Sequence, residues 1–195
     1  MIEGLVLAAG RSRRAGVFKP AHIHEGRPLL LHAIASLAPW CKRVLVVAGH
    51  RHLEIAAMLA NEPALTLVVN ANHDRGMFSS VRAGAANLSP GVRGFFVLPA
   101  DCPLVHPAVP DALLQAFADN TDAQAIVPEH RGRGGHPVLL PAAARQAIDD
   151  ATATATLRDV IRTLQPVRLP VEHPSVLMDI DTRADVRALA EEQRV

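Results

Sequence analysis

The chain has 195 residues, 49% hydrophobic and 20% charged, and its 20 basic and 19 acidic side chains leave a formal net charge of +1. That length suits one domain with a substantial core, and the apolar residues fall in short runs, which excludes both a disordered chain and a membrane-spanning one. Charges of both signs are mixed along the sequence, so the basic field that nucleic acid binding requires is missing and the expected partner is a small molecule.

In chain order, strand-like runs rich in Val, Ile, Leu and Phe occur at Gly4–Leu7, Arg43–Val47, Leu65–Asn70, Gly94–Leu98, Gln124–Val127 and Pro137–Leu140. Helical spacing is read at Leu29–Leu37, Leu53–Leu59, Ser80–Leu88, Ala108–Phe117, Thr156–Leu164 and Asp185–Glu192, the last opened by a Thr182 and Asp185 capping pair. The first four strand runs are nearly continuous apolar tracts, as in parallel strands covered on both faces. The expectation is therefore an α/β fold, a single-domain Rossmann-like three-layer sandwich over residues 1–195 with a mostly parallel central sheet. The Ala-Thr alternation at Ala151–Thr156 reads as a loop leading into a helix. Cys41 and Cys102 show no metal-ligand spacing, and with no secretion signal the chain is expected to be cytoplasmic with reduced thiols.

Ligands of such sheets bind outside the carboxyl ends of the strands. After the first strand, Ala8, Ala9 and Gly10 let backbone amides approach a ligand closely, and Arg11, Arg14 and Lys19 add three cations suited to a polyphosphate. The loop is neither a GxxxxGK[ST] nor a GxGxxG loop, so ATPase and dehydrogenase readings lose support. By composition alone, an ordinary strand-to-helix turn with solvated arginines remains open.

The stretch Leu7-Ala8-Ala9-Gly10-x-Ser12-x-Arg14-x-Gly16-x-x-Lys19 resembles the LAAGxSxRMGxxK signature of nucleotidyltransferases that act on molybdenum cofactor, with Ala15 where the pattern has Met. Four further segments match. Gly76–Gly84 resembles GMxxSVRxG, Asp101–Val105 resembles DQPxV with Cys102 in place of Gln, Gly135–Leu139 resembles GHPVL, and Asp179–Thr182 resembles DIDT. The set is most similar to the molybdenum cofactor cytidylyltransferases of the MobA-like NTP transferase family. The guanylyl-transferring branch reads LAGG in the first loop, so Ala9 favours a pyrimidine.

The resemblance implies a nucleotide site of Leu7, Ala8, Ala9, Gly10, Arg11, Ser12, Arg14, Lys19, Ser80 and Asp101. Lys19, Arg14 and Asp101 would be catalytic, Asp101 and Asp181 would hold Mg2+, and Gly135 and His136 would meet the acceptor. Asp179 is expected to support its loop, Ser79 substitutes for Ser80 if the register differs by one, and Arg11 and Arg13 point less predictably than Arg14. Cys102, beside the metal carboxylate, is expected to be accessible to solvent. The implied partners are CTP or another NTP and a phosphorylated acceptor, molybdopterin above all, with a molybdoenzyme as client and no nucleic acid or membrane. A sugar or polyol phosphate acceptor and transfer from GTP are the enzymatic alternatives. A nucleotide-binding protein that delivers cofactor without turnover is the non-enzymatic one. The Gly-Asp-x-Gly segment common in the family is replaced here by Asp150-Ala151-Thr152-Ala153, which leaves the acceptor open.

Overall fold

A computed structural model describes residues 1–12, 15–62, 64–120 and 124–192. They form an eight-stranded sheet with helices on both faces. Strand β1 (Ile2–Ala8) lies at its centre between β4 (Arg43–Ala48) and β6 (Gly94–Pro99), and β5 (Leu65–Val69) pairs with β4 at one edge. These four strands are mutually parallel, joined through α1 (Leu29–Ala35), α2 (His52–Leu59) and α3 (Met77–Ala86). The continuous apolar tracts thus meet the expectation for β1, β4 and β6, whereas β5 is an edge strand and only partly buried. Beyond β6 the sheet changes direction. Strand β9 (Val138–Pro141) runs antiparallel to both β6 and β7 (Ile126–His130), and β10 (Val167–Pro170) closes the far edge parallel to β7.

The remaining pieces are short. A two-stranded hairpin of β2 (Ile23–His24) and β3 (Arg27–Pro28) precedes α1, and β8 (Arg133–Gly134) pairs with β7. Helix α4 (Ala108–Asp119) follows β6, α5 (Ala144–Asp150) follows β9, and α6 (Leu157–Thr163) and α7 (Arg183–Glu192) lie at the end of the chain. Thr156 caps α6 through a reciprocal bond with Asp159, so the helix begins one residue after the sequence expectation. Two apolar clusters fill the space on either side of the sheet, Val6, Val46 and Phe96 serving one and Leu5, Leu45 and Phe95 the other. The period of two that sends alternate side chains to opposite faces accounts for the division.

Glu3 interrupts the apolar run of β1 and is buried. Its carboxylate accepts from Arg43 Nε and Nη2 at 3.2 and 3.1 Å and from the Ser89 hydroxyl and amide at 2.6 and 3.0 Å. Burial opposes its ionisation, but the Ser89 and Arg43 bonds outweigh it and hold the carboxyl below its ordinary range.

Candidate active site

The carboxyl ends of β1, β4, β5 and β6 lie side by side, and the chain leaves each of them into a polar loop. After Ala8 the first loop turns sharply, with Ser12 and Gly16 in the left-handed region at φ of 52° and 69°. Ser12 Oγ then accepts the Lys19 amide at 3.2 Å, so the loop closes on itself and returns Lys19 to the end of β1. Leu7, Ala8, Gly10, Ser12, Lys19 and Asp101 line one hollow of about 90 Å3 together with Pro20 and Ala100. Ala15, in the family's Met position, is buried.

Lys19 is 8% exposed, and its ammonium donates to Asp101 Oδ2 at 2.9 Å and to Asp181 Oδ1 at 3.1 Å. Burial alone would lower its pKa, but the two carboxylates outweigh burial and raise it, so the ammonium stays charged. Asp101 follows the end of β6 by two residues. Asp181 arrives from the opposite end of the sequence because the Ile180 amide donates to the Asp101 carbonyl at 2.8 Å and the Ile180 side chain packs against Leu29. Asp185 accepts the Asp181 and Thr182 amides at 2.9 and 2.7 Å, and Thr182 Oγ1 accepts the Asp185 amide at 3.2 Å, the capping pair expected from the sequence.

Other expected residues lie elsewhere. Arg11 turns away from this hollow to pair with Asp74 of the loop after β5, with Nη2 at 2.6 Å from Oδ1. Arg13 and Arg14 lie outside the described residues. The Ala9 carbonyl accepts the His50 amide at 3.3 Å, and its methyl stands beside Gly49, where an added Cβ would be 3.0 Å away. Ser80 is 3% exposed and does not line the 90 Å3 hollow; its hydroxyl accepts from Asn70 Nδ2 at 3.0 Å. Asn70, read from the sequence as the last residue of a strand, follows β5 as a buried polar residue at the ligand edge. The one sequence signal for it was a polar side chain ending an apolar tract.

Gly135 is buried, and a Cβ there would clash with the Val176 carbonyl oxygen. Its neighbour His136 donates its amide to that same oxygen at 2.8 Å, so the segment before β9 is seated on the 3-10 turn Pro174–Leu177. Burial lowers the His136 pKa, only partly offset by Asp101 and Asp179, and the ring is neutral at pH 7. Asp179 itself is exposed. Cys102 corrects an expectation. It is buried, because its side chain joins the apolar cluster with Val105 and Val109, and burial with Asp101 and Asp179 nearby pushes its thiol well above the usual range. A thiol in that state is not a nucleophile. Among the described residues no three His, Cys, Asp or Glu side chains gather as a metal nest. No helix among them is long and apolar enough to cross a membrane.

Comparison with known proteins gives the family and the fold. The molybdenum cofactor cytidylyltransferase of Escherichia coli K12 is 28% identical over 188 residues, 94% of this chain and 93% of that protein. A molybdenum cofactor guanylyltransferase of Bradyrhizobium sp. ORS 278 is 30% identical over 169 residues, 83% and 76% of the two chains. The solved structure of Rv0371c from Mycobacterium tuberculosis H37Rv superposes with a TM-score of 0.82 at 23% identity, covering 97% of each chain. The same protein solved in complex with manganese gives 0.78 at 21% identity, over 97% and 98% of the two chains. Residues 4–168, from the first strand through the loop, α3, Asp101 and His136 to the edge strand, match the MobA-like NTP transferase domain, and the chain is a nucleotidyltransferase of that family.

Proposed function

We propose that the protein transfers CMP from CTP to the terminal phosphate of molybdopterin and releases pyrophosphate. The observation that carries this reading is the Lys19 ammonium held between Asp101 and Asp181 beside a hollow lined by Leu7, Ala8 and Gly10. Nucleotidyl transfer needs fixed positive charge along a triphosphate and carboxylates for a hard cation, in one place and in advance of the reaction. An oxygen of the acceptor phosphate attacks the α-phosphorus of CTP; the new P–O bond forms as the bond to the β-phosphate oxygen breaks, and the electron pair leaves on pyrophosphate. Lys19 would follow the developing charge as a mobile point charge, and Arg14 would hold the triphosphate as a planar fork. His136, neutral and half-buried before β9, would stand on the acceptor side with Gly135.

That Asp101 and Asp181 already share one cation, the Lys19 ammonium, supports their use as ligands of Mg2+. This ion takes one or two protein carboxylates and completes its shell with phosphate oxygens and water. When bound, it would neutralise charge on the leaving pyrophosphate. The manganese complex of Rv0371c is in keeping with a divalent ion in this fold. Cytidylyl over guanylyl transfer is supported by Ala9, by the Gly135-His136-Pro137 segment and by the nearly full-length match to a cytidylyltransferase. The 30% identity to a guanylyltransferase supports GTP as the second reading.

The test is pyrophosphate release from each of the four NTPs with Mg2+, with and without molybdopterin. Release from CTP only when the pterin is present is expected. Preference for GTP overturns the cytidylyl assignment, release with a sugar or polyol phosphate instead of the pterin changes the acceptor, and CTP binding without turnover would identify a cofactor-delivery protein.

A further inference from the structure

Asn70 is 4% exposed, and every polar atom of its side chain is committed. Oδ1 accepts the Asn72 amide at 2.9 Å, which can only be met by an oxygen and so fixes the orientation of the amide group. Nδ2 must then face the two serines that open α3, and it donates to Ser79 Oγ at 2.9 Å and to Ser80 Oγ at 3.0 Å. The two serines differ in what their own protons do. Ser79 donates to the carbonyls of Asn72 and Gly76 at 3.0 and 2.8 Å, whereas among the described residues no acceptor is bonded to the Ser80 hydroxyl proton. The Gly76 carbonyl, the usual acceptor for a serine four residues on, already takes the Ser79 amide and hydroxyl. A buried hydroxyl with an unused proton is unfavourable unless something outside the chain accepts it.

The position of the pair points to that acceptor. The Asn70 amide is bonded to the Ala48 carbonyl at the end of β4 at 2.7 Å, and the Ala9 carbonyl is bonded to His50 just beyond it at 3.3 Å, so Asn70 and the nucleotide loop flank the same strand end. We infer that Asn70 is a positioning residue for the nucleobase: its bond to the Ser80 oxygen turns the Ser80 proton away from Asn70, toward a ring carbonyl oxygen of a pyrimidine. The inference rests on the cytidylyl reading and assigns to it the group that orients the Ser80 hydroxyl toward the base.

Asn70→Asp tests this because it keeps the oxygen that accepts the Asn72 amide and replaces the donor facing Ser80 by an acceptor, so the Ser80 proton turns inward. The KM for CTP should rise about tenfold or more with kcat within about twofold, the pattern of a lost binding contact. Ser80→Ala should raise it similarly, and Asn70→Asp in the Ser80→Ala background should cost nothing further. Asn70→Ala, which leaves the Ser80 proton free to turn either way, should fall between wild type and Asn70→Asp, and it replaces the latter in the double-mutant cycle if Asn70→Asp does not fold. Equal losses in the presence and absence of Ser80, or an unchanged KM, overturn the inference alone. A wild type that prefers GTP overturns the cytidylyl reading and, with it, the base named here.

Discussion

Lys19→Ala should make the protein a better binder of divalent cation and a worse enzyme. In the structure the Lys19 ammonium contacts both carboxylates expected to hold the ion, at 2.9 and 3.1 Å, with side-chain exposures of 11% for Lys19, 27% for Asp101 and 28% for Asp181. A divalent cation that takes Asp101 Oδ2 and Asp181 Oδ1 must displace the ammonium from them, since that pair of oxygens cannot serve two cations at contact distance. Charge-assisted bonds at this degree of burial contribute about 1–1.5 kcal/mol each net of hydration, so displacing Lys19 opposes metal binding by about 2–3 kcal/mol. At 1.4 kcal/mol per decade, the alanine variant should bind divalent manganese about 30- to 150-fold more tightly in the absence of nucleotide. Its kcat should nonetheless fall about a hundredfold or more, because the mobile charge that follows the triphosphate is gone. Calorimetric titration of nucleotide-free wild type and Lys19→Ala with manganese measures the first effect directly. Unchanged or weaker binding by the variant would show that the ion does not compete with Lys19 for Asp101 Oδ2 and Asp181 Oδ1, and that result refutes the reasoning.

Asp101→Asn should abolish pyrophosphate release while leaving the thermal transition nearly unchanged, because it removes one charge and almost no packing; full activity in the folded variant would take Asp101 out of the mechanism. Glu3→Gln should destabilise the fold by about 3 kcal/mol at pH 7, since Arg43 and the Ser89 amide lose a buried charged partner, and denaturant titration reads the loss. Because the folded pKa of Glu3 is lowered, the wild-type contribution is fully present above the ordinary carboxylate pKa and is lost as pH falls below it; the variant should show a flatter stability profile there, and parallel profiles would exclude Glu3. Gly135→Ala should lower stability by about 1–3 kcal/mol and raise the KM for the acceptor, because a Cβ 2.1 Å from the Val176 oxygen forces the segment before β9 off its seat. Ala9→Gly should shift the ratio of kcat/KM for CTP over GTP by less than about tenfold, since the methyl lies beside Gly49 and does not line the 90 Å3 hollow.

The central strands were legible because each carries a run of at least four apolar or glycine residues, and burial on both faces demands that composition whatever surrounds it. Helix α5 was not read, because Ala144–Asp150 has only Ala144 and Ile148 facing the core and lies next to an Ala-rich stretch with no clear period. Strand β10 was missed because it is a four-residue edge strand with alternate burial and a proline at its end. The site divided in the same way. Lys19 and Asp101 could be placed by the family signature at the ends of β1 and β6, whereas Arg11 could be assigned to the loop but not to Asp74, which lies 63 residues away and becomes a neighbour only through the β5 crossover. Asn70 was legible as a strand end and not as a donor, because its role depends on which of its two atoms meets the Asn72 amide.

Asp181 shows what the motif could not state. The sequence gives the carboxylate and its helix cap, but the cap only orients the start of α7. What brings Asp181 to Lys19 is a series of backbone contacts. Val176 accepts His136, Ile180 donates to Asp101, and the Ile180 side chain fills the gap beside Leu29 at the start of α1. The acceptor-side segment and the second carboxylate therefore depend on one another. A change at Gly135 that moves the Pro174–Leu177 turn pulls on the same stretch of chain that carries Asp181, five residues beyond the Gly135 contact at Val176. Gly135→Ala should for this reason weaken manganese binding as well as acceptor binding, although Gly135 touches neither ligand. Manganese affinity equal to wild type in a folded Gly135→Ala protein would mean that the Ile180 to Asp101 bond alone holds Asp181 in place.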